Sequence, residues 1–113
     1  MKNKIMKNID ASNVMALSDL VAYQEGQVVS KTLVQNSNVS LTLFSFDEGE
    51  EISTHASGGD ALVQALDGEG IITIEGVEYR VKAGESIVMP SGKPHAVRCE
   101  VRFQMMLTVV FPQ

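Results

Sequence analysis

Gly84-Glu85-Ser86-Ile87-Val88-Met89-Pro90-Ser91-Gly92-Lys93-Pro94-His95 is the stretch on which the fold turns. It opens on a glycine turn and passes through residues suited to a short strand. It then stiffens into a loop whose two prolines fix the backbone on either side of Gly92, which suits a side chain, that of His95, held in one orientation. An earlier stretch, Gly49-Glu50-Glu51-Ile52-Ser53-Thr54-His55, follows the same plan of glycine turn, strand-like run and histidine. His55 and His95 are the two histidines of the chain.

Working outward, the segment Ile71–Ile74, Glu75-Gly76 and Val77–Lys82 reads as a hairpin of two alternating strands around a two-residue turn. Val77, Tyr79 and Val81 are expected to face inward and Glu78, Arg80 and Lys82 to face water. Upstream, Val28–Val34 and Val39–Phe44 are β-prone runs separated by the turn residues Asn36-Ser37-Asn38, and they are expected to pair. Ala61–Leu66 reads as an apolar strand closed by Asp67-Gly68. Val101–Phe111 reads as a long strand stopped by Pro112. Eight or nine short strands with glycine and proline punctuation predict an all-β antiparallel barrel or sandwich. Residues 1–24 form an N-terminal extension. Its first ten residues are polar and expected to be loosely attached, while Val14, Leu17, Leu20 and Val21 have the spacing of a short helix with Ser12 as its cap. Residues 25–113 form the single barrel domain.

The totals bound the partners. A chain of 113 residues supports one core. Net charge is -5 with no cluster of lysine and arginine, which argues against nucleic acid as a partner. No apolar run is long enough for a membrane helix, and the N-terminus lacks the apolar region of a signal peptide, so a cytoplasmic protein is expected. The single cysteine, Cys99, excludes an internal disulfide and reads as a small strand residue.

The stretch from Gly84 to His95 matches without a gap the second motif of the cupin superfamily: glycine, five residues, Pro-x-Gly, two residues, histidine. The first stretch resembles the first cupin motif, with Gly49, His55 and Gly68 in place. Ser57 stands where that motif has its second histidine, and Ala61 where it has its glutamate. The resemblance covers roughly Val39 to Cys99 and implies a double-stranded β-helix (jelly-roll) barrel, RmlC-like, in which His55 and His95 come from neighbouring strands and point into the barrel mouth. It implies a site for a divalent transition metal (Zn, Ni, Cu or Fe), for a small-molecule ligand such as a sugar or organic acid, or for both. Half the metal ligand set of the family is replaced.

Further pocket residues are expected at Ser57, which strand alternation places on the face of His55 about 7 Å away, and at Asp60, next to the vacant glutamate position. Cys99 falls about 13 Å beyond His95 along the strand, too far to share an ion. Met89, Met105 and Met106 read as core filler, and Gln64 as a flank residue. Three functions stay open: a metal-dependent enzyme, a metal-free small-molecule binder, and a sensor or interaction module. No catalytic residue or reaction follows from the sequence. The β-prone run at Val28–Val34 offers an edge strand, and a homodimer is expected through it.

Overall fold

The protein is described here by a computed structural model covering residues 5–113. Eight strands make up the fold: β1 (Val28–Gln35), β2 (Val39–Phe46), β3 (Glu51–His55), β4 (Asp60–Ile74), β5 (Val77–Lys82), β6 (Ser86–Met89), β7 (His95–Arg98) and β8 (Phe103–Val110). Every strand pairing is antiparallel. The order β1-β2-β8-β4-β7-β3, with β5 and β6 also paired to β4, curls into a double-stranded β-helix barrel. The expected hairpins form. Asn36 Oδ1 accepts the amides of Asn38 and Val39 at the β1–β2 turn. Glu75 and Gly76 adopt φ of 49° and 81° at the β4–β5 turn, both on the left-handed side that a tight hairpin of matching twist requires.

β4 departs from the sequence-based expectation. Asp67-Gly68 does not end the strand, which runs for 15 residues and serves both halves of the barrel. Its first part pairs with β6 and β8, and its last part with β5 and β7. A register shift between Ala65 and Asp67 marks a bulge where the strand passes from one sheet to the other. Gly68 sits there at φ 70°, and a Cβ would lie 1.8 Å from the Arg102 carbonyl oxygen. The glycine is needed for close approach of β8, not for a chain reversal.

Inside the barrel, Phe46, Val63, Ile72, Met89, Val97, Phe103 and Met105 form the centre of one buried cluster. A second cluster, Val21, Leu33 and Leu43, lies under the N-terminal segment, with Ile9, Leu17 and Leu20 packed against it. Residues 1–4 lie outside the described residues. From Lys7 on, the segment is tied down rather than loose. Lys7 N–H donates to the Leu33 carbonyl at 2.7 Å, and the Asn8 side-chain amide donates to that of Thr32 at 2.8 Å. In place of the expected short helix there is a 3-10 turn at Leu17–Leu20. Ser12 adopts φ 57° and caps nothing, and Val14 is fully exposed. The segment is therefore held by contacts with the barrel and not by helical hydrogen bonding. Gln104 and Ser45, both buried, complete the attachment. The Gln104 amide donates to the carbonyls of Ser18 and Val21, and the Ser45 hydroxyl donates to that of Val21.

Candidate functional site

His55 closes β3, and His95 opens β7. The two are direct partners across the antiparallel pair, on the inner face of the barrel. Alternation alone would not achieve this. Ile52 faces inward opposite Val97, and two residues on it would be Thr54. The register shifts between Ile52 and His55, so that three steps on β3 match two on β7. The extra residue in the Ser53-Thr54 stretch rotates the strand by one position and brings His55, in place of Thr54, to face His95.

His95 reaches its place through the proline-flanked loop, which is pinned at three points. Ser91 N–H donates to Asp60 Oδ1 at 2.9 Å. Gly92 N–H donates to the Ser57 carbonyl and Glu75 N–H to the Pro94 carbonyl, each at 2.9 Å. Ser57 and Asp60 thus meet the loop that carries His95 and not the imidazoles themselves. β3 ends at His55, and the Ser57 hydroxyl turns to the Gly59 carbonyl at 2.7 Å. Cys99 lies just past β7, buried, with its thiol directed to the Asp47 carbonyl. Met89 and Met105 are buried in the core. Among the described residues, no three His, Cys, Asp or Glu side chains converge as a metal-binding group.

The rings lie edge to face, with centroids 4.3 Å apart and planes at 74°. His55 Nε2 and His95 Nε2 are 3.2 Å apart. His55 Nδ1 lies 2.9 Å from the Ser53 carbonyl oxygen, and His95 Nδ1 lies 3.2 Å from that of Lys93. A carbonyl oxygen only accepts, so each Nδ1 carries the proton and each Nε2 presents a lone pair. The two Nε2 atoms are thus placed to share one proton or to hold one common electrophile. Burial pushes the His95 imidazole below its ordinary pKa, and the neighbouring His55 pushes the same way. His95 is 2% exposed, whereas His55 opens to solvent.

The bulge that aims His55 is invisible to strand periodicity, and no residue type at Ser53 or Thr54 announces it. Sequence reasoning also missed that Val77 and Tyr79, although on the inner face, remain 53% and 42% exposed, because no further strand covers β5. Val81 alone of that trio is buried.

An eight-stranded antiparallel jelly roll of this order defines a class of small β-barrels, here with a histidine pair in register across β3 and β7. The Cupin domain family profile matches residues 42–111, and the chain belongs to the cupin family. A conserved protein from Streptococcus pyogenes shares 43% identity and a TM-score of 0.95, over 98% of this chain and 97% of that one. The dimethylsulfoniopropionate lyase DddW of Ruegeria pomeroyi is 29% identical over 92 residues, which is 77% of this chain and 60% of that protein. The HTH-type transcriptional regulator PuuR of Escherichia coli is 32% identical over 95 residues, 77% of this chain and 50% of the regulator. The chain thus spans between half and three-fifths of the length of these curated relatives.

Proposed function

We propose that this cupin binds a divalent transition metal ion between His55 Nε2 and His95 Nε2, and through it a small-molecule ligand. The observation that carries this is the approach of the two Nε2 atoms to 3.2 Å. Two nitrogens held about 2.0–2.1 Å from a zinc-sized ion at a tetrahedral angle lie about 3.3–3.4 Å from each other. In the metal-free protein the same two nitrogens can share a proton. Donation of each Nδ1–H to a backbone carbonyl is the outer contact by which metal-binding histidines are oriented.

The donor set fits two coordination positions of Zn, Ni, Cu or Fe and leaves the rest to water or ligand, since Ser57 turns away and Ala61 has no donor. Affinity should fall below that of a site with three or four protein ligands. When bound, such an ion supplies Lewis-acid character to an oxygen-bearing ligand. The chain's own contribution is orientation: the bulge and the proline loop hold both rings, and the barrel wall shields His95 from water. β1 ends the sheet order; Lys7 and Asn8 engage its Leu33 and Thr32 carbonyls, and we expect a homodimer to form through the rest of that strand's edge. A cytoplasmic setting suits a chain whose only cysteine is a free thiol.

Elemental analysis of the protein purified without added metal, followed by zinc and nickel titration, tests the proposal. One equivalent per chain is expected, with uptake lost in both His55→Ala and His95→Ala. Full uptake by either variant refutes it. A metal-free ligand-sensing module is the second candidate, favoured by the absent carboxylate ligand and by the likeness to a transcriptional regulator. Its mark would be ligand-induced thermal stabilisation unaffected by a chelator.

A further inference from the structure

The inner face beside the histidines is ordered in rows across the strands. Val77 on β5 is in register with Ile74 on β4, Ile74 with His95 on β7, and His95 with His55 on β3. The neighbouring row is Tyr79, Ile72, Val97 and Ile52. In-register residues of antiparallel neighbours share a face, so one surface passes from two imidazoles to branched apolar side chains and a phenol ring. Beyond Ile74 it opens into a groove of ≈ 570 Å³, walled by Val77 and Tyr79 on one side and by Ile87 and Pro90 on the other, with Glu75 at the turn. β5 and β6 each pair only with β4, so no strand closes the seam between them. Two charged residues of β5 are engaged elsewhere: Glu78 pairs with Arg98, and Arg80 with Glu69.

We infer that this groove receives the uncharged arm of a monocarboxylic acid whose carboxylate sits at the histidine pair, an inference that rests on the metal-loaded pair proposed above. The length of the ligand follows from the rows. His95 and Val77 are two strand spacings apart, about 10 Å, so a compact acid of benzoate size stops short of Val77. An aryl-alkyl or medium-chain acid reaches it. The charge follows from two groups. A cation held between His55 and His95 would favour an anionic oxygen beside it, and Glu75 at the groove's end repels a second carboxylate there. The arm is therefore apolar and neutral.

Calorimetric titration of the zinc-loaded full chain with 4-phenylbutanoate, benzoate and acetate tests this, with zinc content measured on the same samples. The expected result is binding of 4-phenylbutanoate at least about tenfold tighter than either short acid, since burying a phenyl-propyl arm removes ample apolar area from water. Val77→Asp should erase that preference and Tyr79→Ala should reduce it. Because both positions are exposed, the variants are expected to fold, which their melting curves verify. Equal affinity for all three acids on zinc-loaded protein, or a preference untouched by Val77→Asp, overturns the inference while leaving the metal site standing. A preference for the long acid that Val77→Asp erases in protein that takes up no zinc upholds the groove and refutes the metal. Absence of both zinc uptake and acid binding refutes the two together.

Discussion

The two sides of the barrel are finished differently. On the β1–β2–β8 side the outer surface is sealed: Leu33 and Leu43 are buried under the N-terminal segment, together with Val21 of that segment. Buried polar groups are committed to the seal, with Gln104 and Ser45 holding the carbonyls of Ser18 and Val21. A chain of contacts closes its margin. The Tyr23 hydroxyl donates to Asp67 at 2.6 Å, Arg102 lies over the Tyr23 ring at 5.0 Å, and Arg102 donates to Asp47 at 2.9 Å. Burial, reinforced by Asp67, pushes the Tyr23 phenol well above its usual pKa. On the β3–β7–β5 side, nothing comparable covers the sheet among the described residues. His55, Val77 and Tyr79 are exposed, and β5 keeps a free edge. The main core is shared by both halves, while the outer face of one is covered and the inner face of the other opens to solvent.

Substitutions on the two sides should therefore diverge. The largest effect is expected from Leu43→Ala, which opens a cavity beneath the N-terminal segment and should cost about 2–5 kcal/mol in a urea denaturation series. Gln104→Ala comes next. It leaves the Ser18 carbonyl without that donor and the Val21 carbonyl with Ser45 alone, for a loss of about 1–3 kcal/mol by the same measurement. Asp47 gives a smaller and pH-dependent effect. The Gly26 amide and then Arg102 hold its carboxyl at about 2, below the ordinary carboxylate range. A carboxyl depressed in the folded state stabilises the fold above its unfolded pKa, and the contribution disappears as pH falls through the folded value. The melting temperature should drop between about pH 4 and pH 2, and the drop should be shallower in Asp47→Asn. At the other extreme, Val77→Ala on the open side should change stability by no more than about 0.5 kcal/mol. A large loss there would show that the seam is part of the core and that the contrast between the halves is false.

The sequence carried the barrel through its punctuation. Glu75-Gly76 and Asn36-Ser37-Asn38 signalled hairpins because tight turns demand particular residues. The spacing from Gly84 to His95 marked the loop that delivers a histidine because prolines restrict the backbone wherever they occur. Asp67-Gly68 misled for a related reason: glycine serves a turn and a close backbone approach equally, and only the position of Arg102 on β8 separates the two. The N-terminal segment was illegible because it has no periodicity of its own and owes its place to partners such as Leu33 and Gln104, far along the chain. Of the candidate site, the pairing of His55 with His95 was legible. The diversion of Ser57 to Gly59 and of Asp60 to Ser91 was not, since both depend on where β3 stops.

The unpaired step between Ile52 and His55 makes β3 a parity device. Removing one residue there would restore plain alternation with His55 two steps from Ile52, so the imidazole would still face His95 while the strand lost its kink. Flattening the bulge with the sequence unchanged would instead set Thr54 opposite His95 and turn the imidazole to the outer wall.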